Sequence, residues 1–163
     1  MTLVRPVLSP LLVGRDELLT LAERRLAEAA GGHGHLLLLA GEAGIGKSRM
    51  MGAIHRKAEA AGFRIAQGDL SPHDRQIPLA SILDLARTMR GIQTFGSLGT
   101  EIEESQRLRG GDNLGSRQVV VHDVADRLIR DIDRPTVLAF DDLQWADELS
   151  LEVIAELARL GRS

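Results

Sequence analysis

Gly41, Glu42, Ala43, Gly44, Ile45, Gly46, Lys47 and Ser48 spell G-x-x-x-x-G-K-S, the spacing of a phosphate-binding loop. Glycines at these places let the backbone curl so that successive N–H groups converge on one anion. A helix starting at Lys47 adds the positive end of its dipole to the same point. The Lys47 ammonium is expected to reach the β- and γ-phosphates and the Ser48 hydroxyl to bind Mg²⁺, with Lys47 also acting in any turnover. Arg49 follows directly; it is either a further phosphate-side cation or a solvated helix residue.

A second constellation lies far downstream. Val137, Leu138, Ala139 and Phe140 form an apolar run that ends in Asp141 and Asp142. An apolar strand ending in a carboxylate is common, and by itself reads as a capped turn. Downstream of a phosphate-binding loop it reads as the Walker B element. Asp141 is then expected to hold Mg²⁺, largely through water. Asp142 is expected to orient or activate an attacking water. Gln144 and Asp147 are orienting or capping residues, and Trp145, the one Trp, is expected to be a packing anchor.

These residues need elements to hold them. Apolar residues at helical spacing predict a helix over 16–30 with Asp16 as N-cap. Residues 36–40 are an unbroken apolar run, which fits a strand buried on both faces of a parallel sheet. A helix is expected over 47–61 with Gly62 just past its end. A second strand is expected over 63–67, a polar loop over 71–78 and a helix over 79–89. Residues 91–115 hold six glycines and read as a loop with one short helix near 100–108. Ser116 is expected to cap a helix that Pro135 stops. A third strand over 137–140 and a last helix capped by Asp147 complete the order. Strands alternating with helices make this an α/β chain with a parallel sheet. Residues 1–13, with Pro6 and Pro10, read as an extended arm, and 14–163 as the globular domain.

Composition narrows the function classes. The 163 residues are 44% apolar and 26% charged, which suits one globular domain rather than a disordered or fibrous chain. The net charge of −3 is far from the basic balance of a self-sufficient nucleic-acid binder, so no nucleic-acid contact is expected through this chain. With Cys 0, thiol catalysis, disulfides and zinc-thiolate sites are excluded. No run approaches the ~20 apolar residues of a membrane span, and no signal peptide is visible, so a cytoplasmic setting with no membrane contact is expected. Of 20 basic residues only Lys47 and Lys57 are Lys. A chain so biased toward Arg keeps a Lys in its glycine-rich loop. His33 and His35 lack further ligands at zinc spacing.

Three stretches together, Leu12-Val13-Gly14-Arg15, the loop from Gly41 through Arg49, and Asp141-Asp142-Leu143-Gln144-Trp145-Ala146-Asp147, resemble the signal-transduction ATPases called STAND, a branch of the AAA-like P-loop proteins. Similar modules occur in large ATP-binding regulators of the LuxR type and beside adenylate cyclases or protein kinases. The resemblance implies a three-layer α/β/α P-loop fold, ATP or ADP with Mg²⁺ as ligands, and Val13, Gly14 and Arg15 lying over the adenine. In this sequence Asp16 and Glu17 crowd directly behind Arg15, where the family usually has an acid two or three places on. It also implies a fourth strand, carrying a sensor residue, between residues 36–40 and the Walker B strand, followed by a helical lid. The chain stops at Ser163, about where that strand would begin. An N-terminal fragment is therefore expected, with residues 36–40 and 137–140 either paired directly or left as an exposed edge prone to self-association. The function implied is a nucleotide-state switch of a transcription or signalling regulator, with weak or no hydrolysis in this chain. The alternative is a motor or replication-initiator-like ATPase acting on nucleic acid.

Overall fold

The structure is a computed structural model and describes residues 15–89, 114–130 and 132–162. The arm over 1–13, Val13 and Gly14, the short helix near 100–108 and most of the 91–115 loop lie outside the described residues.

Helix α1 spans Asp16–Ala30 and α2 spans Lys47–Ala60. Strand β1 is Arg64–Asp69, and a single 3₁₀ turn, Asp74–Gln76, leads to α3 over Ala80–Thr88. Helix α4 covers Leu114–Arg130, strand β2 covers Thr136–Asp141, and after the 3₁₀ turn Leu143–Trp145 the helix α5 covers Glu148–Leu160. The strands are parallel and in register from Arg64↔Thr136 to Asp69↔Asp141.

Because side chains alternate along a strand, the register assigns the faces. Ala66 and Gly68 stand beside Leu138 and Phe140 and face the main core. That core is built from α3, α4 and α5 through Leu79, Ile82, Leu85, Val124, Leu128 and Val153. Gly68 makes the approach of α3 possible, since a Cβ there would stand 3.1 Å from the Ser81 carbonyl oxygen. The opposite face carries Asp69 and Asp141 and receives the start of α2. Behind it α1 and α2 share a smaller cluster of Ala22, Met50 and Ile54, with Leu19 and Leu39 packed against it. Helices on both sides of parallel strands make this an α/β fold in three layers.

Residues 36–40 correct the expectation of a buried strand. They form no strand, and Leu36, Leu37 and Leu38 are 44%, 39% and 68% exposed. Of the two alternatives, the direct pairing is absent: β2 pairs with β1, no described strand pairs with 36–40, and the other edge of β2 carries no described strand. The physical reason is that a strand needs a ladder partner for its N–H and C=O groups and a layer on each face. Leu39 alone finds apolar cover. The backbone does find one anchor further back, where Gly34 N–H donates to the Gly161 carbonyl at 2.7 Å.

Two caps also differ. Asp16 lies in the first turn of α1, with Arg15 as N-cap, and α4 begins at Leu114, which places Ser116 inside the helix. Asp147 caps α5 as expected, its side chain accepting from Leu149 and Ser150 N–H.

Candidate functional site

The loop over residues 41–46 joins the unpaired 36–40 segment to α2. Two of its glycines sit in the left-handed region, Gly44 at φ +79° and Gly46 at φ +93°. A side chain at either place would be strained. Gly46 is also the N-cap of α2, and its carbonyl starts the helix by accepting Met50 N–H at 3.0 Å. The loop therefore ends at the N-terminus of α2, the helix start that the spacing predicts.

Lys47 is the first residue of α2. Its Nζ donates to the carbonyl of Gly41 at 2.9 Å and of Glu42 at 3.1 Å, so the loop wraps around the ammonium. An ammonium has three donors, and these bonds engage two of them. Ser48 points the other way. Its Oγ donates to Asp141 Oδ2 at 3.0 Å across 93 residues of sequence. That contact joins the phosphate-loop helix to the end of β2. Asp141 Oδ1 accepts the N–H of Asp142 at 3.0 Å, which orients the carboxylate toward Ser48.

Asp142 is exposed and occupies the left-handed region at φ 55°. Gln144 Nε2 donates to its Oδ1 at 2.9 Å, so Gln144 is the orienting residue. Trp145 is half-buried in the turn that follows, its N–H bonded to the Asp142 carbonyl at 2.9 Å. Arg15 Nη2 donates to the Ile45 carbonyl, which ties the residue before α1 to the loop. Glu42, Ala43 and Ile45 are exposed on the loop, and Arg49 is half-buried on α2.

One residue escaped the sequence reading. Asp69 ends β1 as the register neighbour of Asp141, and the two acids share the carboxyl end of the sheet. Asp84 on α3 accepts Asp69 N–H at 3.1 Å, and Gln67 Nε2 donates to Asp69 Oδ1 at 2.7 Å. An acid two residues past an apolar strand was its only signal, and the expected strand ended at Gln67, short of it. Ligands of open α/β sheets bind beyond the carboxyl ends of the strands, where Asp69, Asp141 and the loop all lie.

His35 Nε2 lies 2.7 Å from Glu28 Oε2, and no group of three or more metal-binding side chains occurs among the described residues. A hydrogen bond from Arg25, reinforced by the charges of Arg25, His35 and Arg24, holds Glu28 below the usual carboxylate range.

The residues at the Ser48–Asp141 contact fit a magnesium ion. A hydroxyl and a carboxylate 3.0 Å apart are hard oxygen donors, the class that Mg²⁺ prefers. The glycine loop fits a phosphate group, since it turns through left-handed Gly44 and Gly46 into the N-terminus of α2, with the Lys47 ammonium and the Arg15 guanidinium beside it.

A family model described as AAA ATPase domain matches residues 11–163. No curated protein matches the chain, and no solved structure does.

Proposed function

Because this chain belongs to the AAA ATPase domain family, we propose that it works as a nucleotide-state switch, binding ATP or ADP with Mg²⁺ as the regulatory module of a signalling or transcription regulator. The observation that carries the nucleotide site is the Ser48–Asp141 hydrogen bond, which brings the two halves of the Walker arrangement together from distant parts of the chain. The STAND resemblance supports the regulatory reading, through the Asp-Leu-Gln-Trp-Ala-Asp stretch over 142–147.

Each residue has a part in this reading. Backbone N–H groups over 44–46 and the α2 terminus receive phosphate oxygens. Lys47 neutralises their charge, moving from the carbonyls of Gly41 and Glu42 to stronger anionic acceptors. Ser48 and Asp141 would hold the metal, which would supply positive charge against that of the phosphates. Asp142, held by Gln144, stands where it can orient a water. No helix among the described residues is long and apolar enough to cross a membrane.

The test is a titration with ATP, with and without Mg²⁺, followed by Trp145 fluorescence. Trp145 lies three residues from Asp142, so occupancy should change its emission saturably. Lys47→Ala should weaken ATP binding more than tenfold, roughly 1.4 kcal/mol or more. Equal affinity of the variant and the parent would remove the site.

A further inference from the structure

Resting on the phosphate-loop reading above, we propose that Arg15 serves the phosphate end of the nucleotide site as a second cation beside Lys47, and not the adenine end. Its guanidinium lies flat on Gly46. A Cβ built there would stand 3.9 Å from both Nη1 and Nη2 and 4.0 Å from Cζ, so the plane of the group, and not its edge, covers the glycine. Nη2 is anchored on the Ile45 carbonyl. Gly46 is the N-cap of α2, where the backbone field is most positive.

A cation is disfavoured at that terminus unless an anion shares the place. The first turn of α2 carries no acidic residue, and Lys47 adds a second positive charge there. Neither Arg15 nor Lys47 is ion-paired with a carboxylate among the described residues. Both are held instead by neutral carbonyls of the loop, those of Ile45, Gly41 and Glu42. Two cations held only by loop carbonyls, with the Asp141 carboxylate on Ser48 as the nearby anion, make a charge pattern that a polyphosphate completes. A guanidinium also matches phosphate with two parallel hydrogen bonds, which a carbonyl cannot offer. The base, by contrast, has no use for a cation stacked on the phosphate-loop glycine.

The experiment uses the full chain and calorimetric titration with ATP and with inorganic tripolyphosphate, the latter also as a competitor of ATP. Arg15→Ala should weaken both ligands by a similar factor, about tenfold, and should lower the salt dependence of binding. Arg15→Gln, which keeps an amide donor for the Ile45 carbonyl but no charge, should lose nearly as much. It also serves if the alanine variant does not fold, as judged by circular dichroism. Loss of ATP affinity with tripolyphosphate affinity intact would put Arg15 on the adenine side and overturn the proposal. So would unchanged affinity for both, or failure of tripolyphosphate to displace ATP from the parent chain. Lys47→Ala separates the two readings: if it leaves both ligands unaffected, the phosphate loop itself is misassigned, whatever Arg15 does.

Discussion

Replacing Asp147 by Ala should destabilise the chain by about 2–4 kcal/mol while leaving nucleotide affinity unchanged. Asp147 sits in the stretch that ties the chain to its family resemblance, so a role at the nucleotide and a role as a cap make opposite predictions. The structure decides for the cap. Asp147 is 2% exposed, and its Oδ1 accepts from Leu149 and Ser150 N–H at 3.1 Å each. Its Oδ2 accepts the Ser150 hydroxyl at 2.5 Å. Loss of an N-cap costs about 1 kcal/mol. Ser150 is 0% exposed, so its hydroxyl would be left buried without its acceptor, which adds about 1–3 kcal/mol. Domains are commonly stable by only about 5–15 kcal/mol, so the change is readily seen. Urea unfolding should show a lower midpoint with an unchanged slope. The double variant Asp147→Ala with Ser150→Ala removes the orphaned hydroxyl and should recover part of the loss, and Asp147→Asn, which keeps the Oδ1 acceptor, should lose less. A stability change under about 0.5 kcal/mol together with a tenfold drop in ATP affinity would refute the argument.

Asp141→Asn removes the charge that Ser48 faces and should chiefly abolish the tightening of ATP binding by Mg²⁺; equal tightening in the variant would mean that another residue holds the metal. Gly68→Ala drives a Cβ to 3.1 Å from the Ser81 carbonyl and 3.4 Å from Leu85 N, both backbone atoms of α3, and should cost about 1–3 kcal/mol in urea unfolding. Gly52→Ala, on α2 with only the Arg56 guanidinium nearby at 3.7 Å, should instead gain up to about 1 kcal/mol. Hydrogen bonds from Arg159 and then His122 hold Glu156 at about 2, below its ordinary 4.5. A carboxyl depressed on folding stabilises above its unfolded value and loses that contribution as pH falls from about 4.5 toward 2, so Glu156→Gln should flatten the acid limb of the stability–pH curve in that window. Self-association through the exposed leucines at 36–38 predicts that Leu38→Glu, at the most exposed of the three, shifts sedimentation toward monomer at high concentration.

The turn and the helix start of the candidate site were legible because they are local. The glycine spacing of 41–46 and the Lys47-Ser48 pair specify a turn and a helix start within eight residues, and both formed. Helix α1 matched its expected span, and Gly62, at φ +86°, follows α2 as expected. Asp147 capped α5 for the same local reason, since an N-cap needs only the next three residues. The cap expected at Asp16 missed by one position and that at Ser116 by three, because polar residues lie on both sides of those helix starts.

What depends on distant partners was not legible. An apolar pentapeptide at 36–40 has the composition of a buried strand, but composition carries no ladder partner, and its leucines stand in solvent. That Ser48 would meet Asp141 was expected from the two motifs and not from periodicity, and neither said that Asp69 would stand beside Asp141 or that Arg15 would lie on Gly46. Those contacts join residues that are 93, 72 and 31 positions apart, as the numbering shows. The residue types and short spacings determined which groups could bind phosphate and metal. Which of them meet, and which apolar run finds cover, was decided by the packing of helices on both faces of β1 and β2, because hydrogen-bond partners and apolar cover are supplied by other parts of the chain.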